Sequence, residues 1–297
     1  MRGFGTVAVP ALLAGLALAG AVWPVTATAG PWTPEPGGGY AKVQARWLPG
    51  IGWFGEPDAP PVMYGIYNEV FLGGFYAEVG LVPRLSIAAH SDGVRLFFLQ
   101  DPLDDSVSSH VSFGEPTLTM TVQPVQAGRF ALSVAAHIKA PGAPNDVVAD
   151  VVSLDGDVIG GLRVGTGVLE GGLTVNAGLG FGRVYFAGSV GGVGRGGGWD
   201  SVLQWSAEGG FDVGKALATH LRVRLAGFHP LGNGTTPYHA SPSGIGNGTA
   251  YVAFTIEVER RISERVALGF SVAGGLAPVR RQTGGPVLTG YLATAWP

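Results

Sequence analysis

The sequence predicts an all-β fold: a single closed antiparallel transmembrane β-barrel of about 12 strands. Three observations support this prediction. Charged residues make up only 13% of the chain and glycine 51 of its 297 residues, whereas an average soluble domain carries roughly 25% charged residues and ~7% Gly. Stretches in which apolar and polar residues alternate recur along the chain. The connections between them alternate between short turns and long loops, as in outer-membrane barrels with short periplasmic turns and long extracellular loops.

The first 29 residues predict a signal peptide. The stretch MRGFGTVAVPALLAGLALAGAVWPVTATAG combines Arg2, a long apolar core and small residues at Ala27-Thr28-Ala29, which are the features of a cleavable secretory signal. The alternative is an uncleaved membrane anchor. Cleavage after Ala29 leaves residues 30–297, which we interpret as one barrel domain because the composition does not shift along them. No later stretch is long and apolar enough to predict a transmembrane helix.

The composition excludes several other classes of protein. The chain has no Cys, which excludes a disulfide scaffold and a thiolate metal site or nucleophile. The net charge of −3 is too small to indicate a nucleic-acid partner. The six His residues show no spacing that implies a metal site. We therefore expect neither a metal nor another cofactor.

The alternating stretches number about 12, and most are close to the 9–11 residues that a tilted strand needs to cross a bilayer. In the first of them, Ala41, Val43, Ala45 and Trp47 share one face and the intervening polar residues share the other. In chain order the stretches are YAKVQARW, FLGGFYAEVGL, LSIAAH, TLTMTVQ, FALSVAAHIK, LEGGLTVNAGL, VYFAGSVGG, LQWSAEGGF, ATHLRVRLAGFHP, AYVAFTIEV, VALGFSVAG and VLTGYLATAW.

Two kinds of connection separate the predicted strands. The short turns are predicted around Val82–Arg84, Pro124–Gly128, Gly180–Arg183, Gly214–Ala218 and Arg260–Arg265. The long loops are predicted at 48–62, 92–114, 140–167, 195–200, 228–248 and 276–286. A soluble β-sandwich gives no reason for such regular segregation of loop lengths. The pattern places all short turns at one rim of the barrel and all long loops at the other.

The face of each strand follows from this interpretation. In a membrane barrel the apolar alternates, such as Phe71, Leu132 and Val175, face lipid, and the polar alternates, such as Ser133 and Thr174, face a wet lumen. The candidate lumen-lining residues are Lys42, Arg46, Glu78, His137, Lys139, Glu170, Glu208, His220, Arg222, Arg224 and Glu257.

The stretch ATHLRVRLAGFHP places three basic residues, His220, Arg222 and Arg224, at every second position of one strand. Two arginines in a confined lumen need counter-charges or water, and the lumen-facing glutamates offer the former. Two roles remain open for this row: a brace between the walls of the barrel, or a filter that selects the solute.

The segment RLFFLQDPLDD (Arg95–Asp105) adds an apolar run outside a predicted strand. It either folds inward as a constriction or partial plug, or extends the preceding strand beyond the membrane. We favour the extension.

Four parts of the chain share a pattern of glycines, turns and alternation: FYAEVGLVPRLSIAAHSD, GEPTLTMTVQPVQAGRFALSVAAHIKAPGAP, GTGVLEGGLTVNAGLGFGRVYFAGSVGGVGRGGGWDSVLQWSAEGGFDV and the closing strands. They resemble a family of exported barrels labelled after the meta-pathway of phenol degradation. The resemblance covers most of residues 38–297 and implies an outer-membrane barrel of about twelve strands that takes up small, often aromatic or hydrophobic, compounds. It assigns no functional residues. Such barrels usually end on an aromatic residue, whereas here Pro297 follows Trp296.

These observations together predict an outer-membrane channel or transporter for small solutes, and no enzyme. Its expected partners are outer-membrane lipid, a small solute and the barrel-assembly machinery. One alternative is a barrel-embedded hydrolase acting on envelope lipid. Ser133 and His137 share a face, but four strand residues span about 13 Å, whereas a nucleophile and its base need roughly 3 Å. The other alternative is a structural or adhesive barrel that displays its long loops.

Overall fold

The computed structural model of the chain describes residues 30–50, 52–54, 67–101, 103–152, 156–214, 219–235, 241, 243–280 and 282–297. The predicted signal peptide, most of the 48–62 loop and most of the Gly214–Ala218 turn lie outside these residues. Within the described ranges, no helix is both long and apolar enough to cross a membrane.

The described residues form eighteen strands. In chain order they are β1 (Gly39–Gly50), β2 (Gly52–Phe54), β3 (Tyr67–Val82), β4 (Leu85–Ser91), β5 (Val94–Gln100), β6 (Val107–Phe113), β7 (Thr117–Ala127), β8 (Phe130–Lys139), β9 (Val147–Val152), β10 (Val158–Arg163), β11 (Glu170–Phe181), β12 (Val184–Arg195), β13 (Val202–Val213), β14 (Thr219–Pro230), β15 (Ala250–Arg261), β16 (Val266–Arg280), β17 (Gln282–Gly284) and β18 (Val287–Trp296).

Twelve of these strands close into one antiparallel barrel. Around the wall the order is β1, β18, β16, β15, β14, β13, β12, β11, β8, β7, β4 and β3, and β3 pairs back onto β1. Each of the twelve predicted strands corresponds to one of them, so the predicted fold class is confirmed. Closure leaves no unpaired edge, which is what a sheet needs in lipid because no water is available there to satisfy backbone groups.

The apolar alternates of the barrel strands point outward. On β11, Leu173 is 62% exposed and Val175 43% exposed, whereas the intervening Thr174 borders the internal cavity. The same arrangement recurs around the barrel, for example at Val223 and Leu225 on β14 and at Phe270 on β16. An exposed apolar belt of this extent would be unfavourable in water, and it fits a surface that lies in lipid.

The glycine content has a packing reason within the wall. Tyr185, Trp205 and Tyr291 lie over glycines directly opposite them on the neighbouring strand, and a side chain at Gly210, Gly227 or Gly269 would collide with those rings. Glycine thus makes room for large aromatic rings to lie flat against the strand next to them.

One irregularity in β3 reverses the predicted alternation. Gly73 has a φ of +69° and lies at the register shift between β3 and β1. Before it, Phe71 faces inward and is 8% exposed; after it, Phe75 faces outward and is 41% exposed. The assignment of Phe71 to the lipid face was therefore wrong, because a bulge adds one residue and exchanges the two faces.

The short connections lie at one rim, which we call the turn end, and the long ones at the other, which we call the loop end. One predicted turn differs from the structure. β7 continues through Pro124 to Ala127, with a register shift between Val122 and Val125, so the turn itself is only Gly128–Arg129. The proline is accommodated at this bulge, where the ladder is interrupted.

The Arg95–Asp105 segment extends the wall at the loop end. β5 continues β4 beyond Gly93 and pairs with β3 over Tyr67–Leu72, and β6 returns along it to β7. Strand extension, the favoured interpretation, matches this arrangement. In the turn between β5 and β6, the Ser106 backbone N–H donates to Asp104 Oδ1 at 2.8 Å. Hydrogen bonds from the side chain and the backbone of Ser106 hold the pKa of the Asp104 carboxyl below its ordinary value.

The loop end is covered by its own loops, which we call the loop-end cap (residues 140–152, 156–167, 196–201, 231–235, 241 and 243–249). The inward side of the extension packs against the β9–β10 hairpin in an apolar cluster. It contains Leu48, Tyr67, Phe97, Leu99, Val151, Leu162 and Val164.

Two asparagines of the cap hold its loops together. Asn233 and Asn247 accept hydrogen bonds from the backbone of Ser201 and Asp200 at 2.8 and 2.7 Å, so both asparagines shape the loops.

The turn end is covered by the N-terminal segment, residues 30–38, which crosses the inside of the barrel. Thr33 donates from its backbone N–H and its hydroxyl to Gln123 Oε1 at 3.0 and 2.8 Å. The Trp32 ring meets Tyr185 edge-on, with centroids 6.0 Å apart. Any side chain at Gly178 would collide with Pro31 and Trp32. No pattern in the sequence predicts this segment, which narrows the lumen next to the turns.

Candidate functional site

The lumen encloses a cavity of about 520 Å³ between the loop-end cap and the N-terminal segment. Gly30 of that segment and Ile245 of the cap both border it. Of the candidate lumen-lining residues, those that border it are Glu78, His137, Lys139, Glu170 and Arg224. The remaining candidates also lie on inward alternates, where they form ion pairs or aromatic contacts with other inward residues.

Arg222 is the centre of an ion-pair network in the half of the lumen nearest the turn end. Its guanidinium lies 3.1 Å from Glu257 Oε1 and 3.4 Å from Glu208 Oε1. The side chain is only 15% exposed. Tyr185 donates to Glu208 at 2.5 Å, and Tyr291 donates to Glu257 at 2.8 Å. Arg222 thus joins carboxylates from the strands on both sides of β14, which is the geometry of a brace.

His220 and Lys42 belong to the same region of the lumen. His220 Nδ1 lies 2.9 Å from Asp212 Oδ1, and its ring stacks on Tyr185 with centroids 5.7 Å apart. Lys42 Nζ lies over the Tyr291 ring, 5.0 Å from its centroid, a favourable cation–π position. Both residues are therefore tied to the aromatic rings that flank the Arg222 network.

A second ion-pair network lies nearer the loop end. Lys139 Nζ lies 2.5 Å from Glu115 Oε2 and 3.0 Å from Glu170 Oε1. Glu115 also accepts hydrogen bonds from the backbone N–H and hydroxyl of Thr166 at 2.8 and 2.6 Å. This network therefore links the barrel wall to the loop-end cap.

Two further arginines are held against the ring of Phe71. Arg46 pairs with Asp92 at 2.8 Å and lies 3.9 Å from the Phe71 centroid. Arg95 pairs with Glu69 at 2.6 Å and lies 5.0 Å from the same centroid. Of these charges only Arg46 was a candidate from the sequence. Arg95 and Glu69 were missed because Arg95 lies in the predicted 92–114 loop and Glu69 precedes the predicted strand that begins at Phe71.

Arg224 differs from the other lumen arginines. It is exposed to the lumen, and within the described part of the chain it has no ion pair, hydrogen bond or aromatic contact. Glu208 stands opposite it in the register of β13 and β14, but that carboxylate is held by Arg222 and Tyr185. In the row of three basic residues, His220 and Arg222 are therefore held by carboxylates, and Arg224 faces the cavity without a partner among the described residues.

Ser133 faces inward as predicted, but the surrounding wall excludes water from it. Its exposed fraction is 0%, and its hydroxyl accepts a hydrogen bond of 3.2 Å from Asn176. The expectation that Ser133 meets water was therefore wrong. Inward position and hydration are separate properties in a barrel this narrow, because neighbouring side chains fill much of the space.

The described residues contain no group of three or more His, Cys, Asp or Glu side chains placed to hold a metal ion. The lumen chemistry that the structure does offer consists of charged, hydroxyl, amide and aromatic side chains. Such a lining can attract, repel or bind a solute as it passes.

No protein-family model matches the chain, and no curated protein matches it in sequence. The resemblance to the meta-pathway family accordingly stays a prediction. Solved structures do share the fold. The COG4313 outer membrane channel from Pseudomonas putida F1 has a TM-score of 0.59 at 11% identity, with 92% of this chain and 100% of that one covered. The KdgM porin, solved in complex with disordered oligogalacturonate, has a TM-score of 0.50 at 4% identity, with 87% and 99% covered. The chain therefore has the closed barrel fold of known outer-membrane channels.

Proposed function

We propose that this protein is a passive outer-membrane channel for small organic solutes. The observation that carries the proposal is the polar cavity of about 520 Å³ inside a closed barrel whose outer face is apolar. A barrel that served only as an anchor has no need of such a cavity. The similar folds of an outer-membrane channel and of a porin support the same function.

The orientation and processing of the chain follow from this proposal. The turn end faces the periplasm and the loop end faces the cell exterior. Cleavage after Ala29 would leave Gly30 as the first residue, at the border of the cavity. The barrel is surrounded by outer-membrane lipid and relies on the assembly machinery for insertion.

The narrow lumen favours small solutes. The loop-end cap and the N-terminal segment border the cavity from its two ends. A solute that crosses the barrel must therefore pass both of them as well as the side chains of the wall. Large polymers do not fit such a path. The aromatic or hydrophobic compounds implied by the family resemblance are one suitable class, since aromatic rings occur among the polar groups of the lining.

Single-channel recording in planar bilayers tests the proposal. Refolded residues 30–297 should carry a steady, ohmic current that is small because both ends of the lumen are narrow. The matched control is the same bilayer with detergent and heat-denatured protein. The contrary outcome has two parts: neither the full barrel nor a variant lacking residues 30–36 carries current, and the protein cleaves lipid esters. That outcome would contradict the channel and support the hydrolase.

A further inference from the structure

The wall of the lumen contains a recess beside Arg224 in addition to the main cavity. It has a volume of about 210 Å³ and is bordered by Thr174, Ser189, Gln204, Arg224, Phe228 and Tyr251, among others. This is smaller than the 300–1,000 Å³ typical of sites for drug-sized ligands. Several of these residues also border the main cavity, so a solute in the lumen can reach the recess.

Unused hydrogen-bonding groups converge on this recess. Within the described part of the chain, no hydrogen bond is formed by the Arg224 guanidinium, the Gln204 amide, the Thr174 hydroxyl or the Tyr251 hydroxyl. Each of them can donate to an oxygen. In the Arg222 network, by contrast, comparable groups are paired with each other. A concentration of donors without protein acceptors fits an acceptor supplied by the solute.

The charges around the recess favour an anion. Glu208 lies opposite Arg224 on β13, and Glu257 lies on β15 at its other side. Both carboxylates are bound by Arg222 and by tyrosine hydroxyls on the side towards the turn end. Arg224 therefore keeps its charge available to the cavity. The guanidinium has five donors in a planar fork, which can bind the two oxygens of a carboxylate or of a phosphate at the same time.

The aromatic part of the recess suits an apolar body attached to that anion. Phe228 and Tyr251 stack in parallel, with centroids 5.4 Å apart, and both border the recess. A flat apolar ring can lie against this surface while its carboxylate reaches Arg224.

We propose that the recess is a binding site for a small carboxylate with an aromatic or apolar body. This inference rests on the proposed channel function and narrows its solute class. The site would hold the solute transiently, since a channel site must release what it binds.

Ligand-observed saturation-transfer NMR with the folded chain in detergent micelles tests this proposal, with benzoate as the probe in dilute salt. Benzoate should bind saturably. Benzyl alcohol has the ring without the charge and should bind at least about tenfold more weakly, because a charged hydrogen bond is lost. The Phe228→Leu variant should bind benzoate more weakly than wild type. Its binding of acetate, which has the carboxylate without the ring, should be unchanged.

Arg224→Gln should weaken benzoate binding by about tenfold or more, and Arg224→Lys should give an intermediate affinity because the charge remains and the fork is lost. Arg261→Gln is the matched control: it removes the same charge at an exposed position where β15 ends at the turn end, and binding should not change. Equal binding by wild type and Arg224→Gln, or by benzoate and benzyl alcohol, contradicts the site. Since Arg224→Lys is measured separately, the test survives a Gln variant that fails to fold.

The outcomes separate this site from the channel proposal. A chain that conducts ions and binds no benzoate overturns the recess and leaves the channel intact. A chain that binds benzoate through Arg224 and carries no current overturns the channel and leaves the binding site.

Discussion

At the scale of single residues, Arg222 and Arg224 stand two positions apart on β14 and differ in their partners. Arg222 is held by two carboxylates and Arg224 by none within the described residues. The brace and the filter that the sequence left open are therefore assigned to different arginines. Removing either charge should affect a different property of the barrel.

Replacing Arg222 with Gln should lower stability. Glu208 and Glu257 would lose their shared cation and stay close together in a confined lumen, at a cost of about 1.5–3 kcal/mol. Urea titration of the barrel in lipid vesicles, followed by tryptophan fluorescence, measures the free energy of unfolding. Arg224→Gln, the control on the same strand, should change it little. Equal losses in both variants would show that Arg222 is not a brace.

Replacing Arg224 with Gln should shift ion selectivity towards cations. A charge that faces the lumen without a counter-ion repels passing cations, and the repulsion is strongest where screening is weak. Reversal potentials in a salt gradient should therefore differ from wild type in dilute salt and converge at 1 M salt, where the Debye length falls to about 3 Å. An Arg224→Gln channel with wild-type selectivity in dilute salt would contradict this assignment.

At the scale of secondary-structure elements, the two faces of β11 meet different surroundings. Val175 points outward and is 43% exposed, whereas Thr174 borders the cavity. An arginine at Val175 would lie in lipid and should cost about 2–4 kcal/mol. Thr174→Arg is the matched control and should cost less, because its charge reaches a polar lumen. Urea unfolding in vesicles measures both, and equal penalties would contradict the assignment of the faces.

The bulge in β3 depends on Gly73. Its φ of +69° is unfavourable for a side chain, so Gly73→Val should lower the free energy of unfolding by about 1–3 kcal/mol. Gly180→Val is a suitable control because a Cβ there also meets open space, and its backbone is not in the left-handed region. If the two substitutions have the same effect, backbone strain does not determine the bulge.

The sequence predicted those features of the elements that depend on local pattern. The twelve strands and the outward face follow from alternation with a period of two. The inward position of Phe71 could not be predicted, since a single bulge reverses the alternation and glycine alone does not reveal one. The zero exposure of Ser133 depends on side chains from other strands. The partners that separate Arg222 from Arg224 likewise depend on the register between strands, which no short motif contains.

At the scale of the whole molecule, the lumen lies between two coverings of different origin. The loop-end cap is built from long connections, whose length is visible in the sequence. The N-terminal segment has no such signal, because Trp32 and Thr33 reach Tyr185 and Gln123, which lie far along the chain. It contacts the wall through few hydrogen bonds and one aromatic pair. The segment is therefore the part of the path that can be removed with the least disturbance to the barrel.

Removing residues 30–36 should raise the single-channel conductance severalfold, because Pro31 and Trp32 occupy lumen space beside Gly178 and a wider path carries more ions. Trp32→Ala keeps the length of the segment and should give a smaller increase. Trp47→Ala is the matched control, since Trp47 is 44% exposed on the outer face, and it should leave the conductance unchanged. Circular dichroism verifies that each barrel has refolded. If the truncated channel conducts no better than the full one, the narrowest point lies elsewhere, and the loop-end cap then determines which solutes pass.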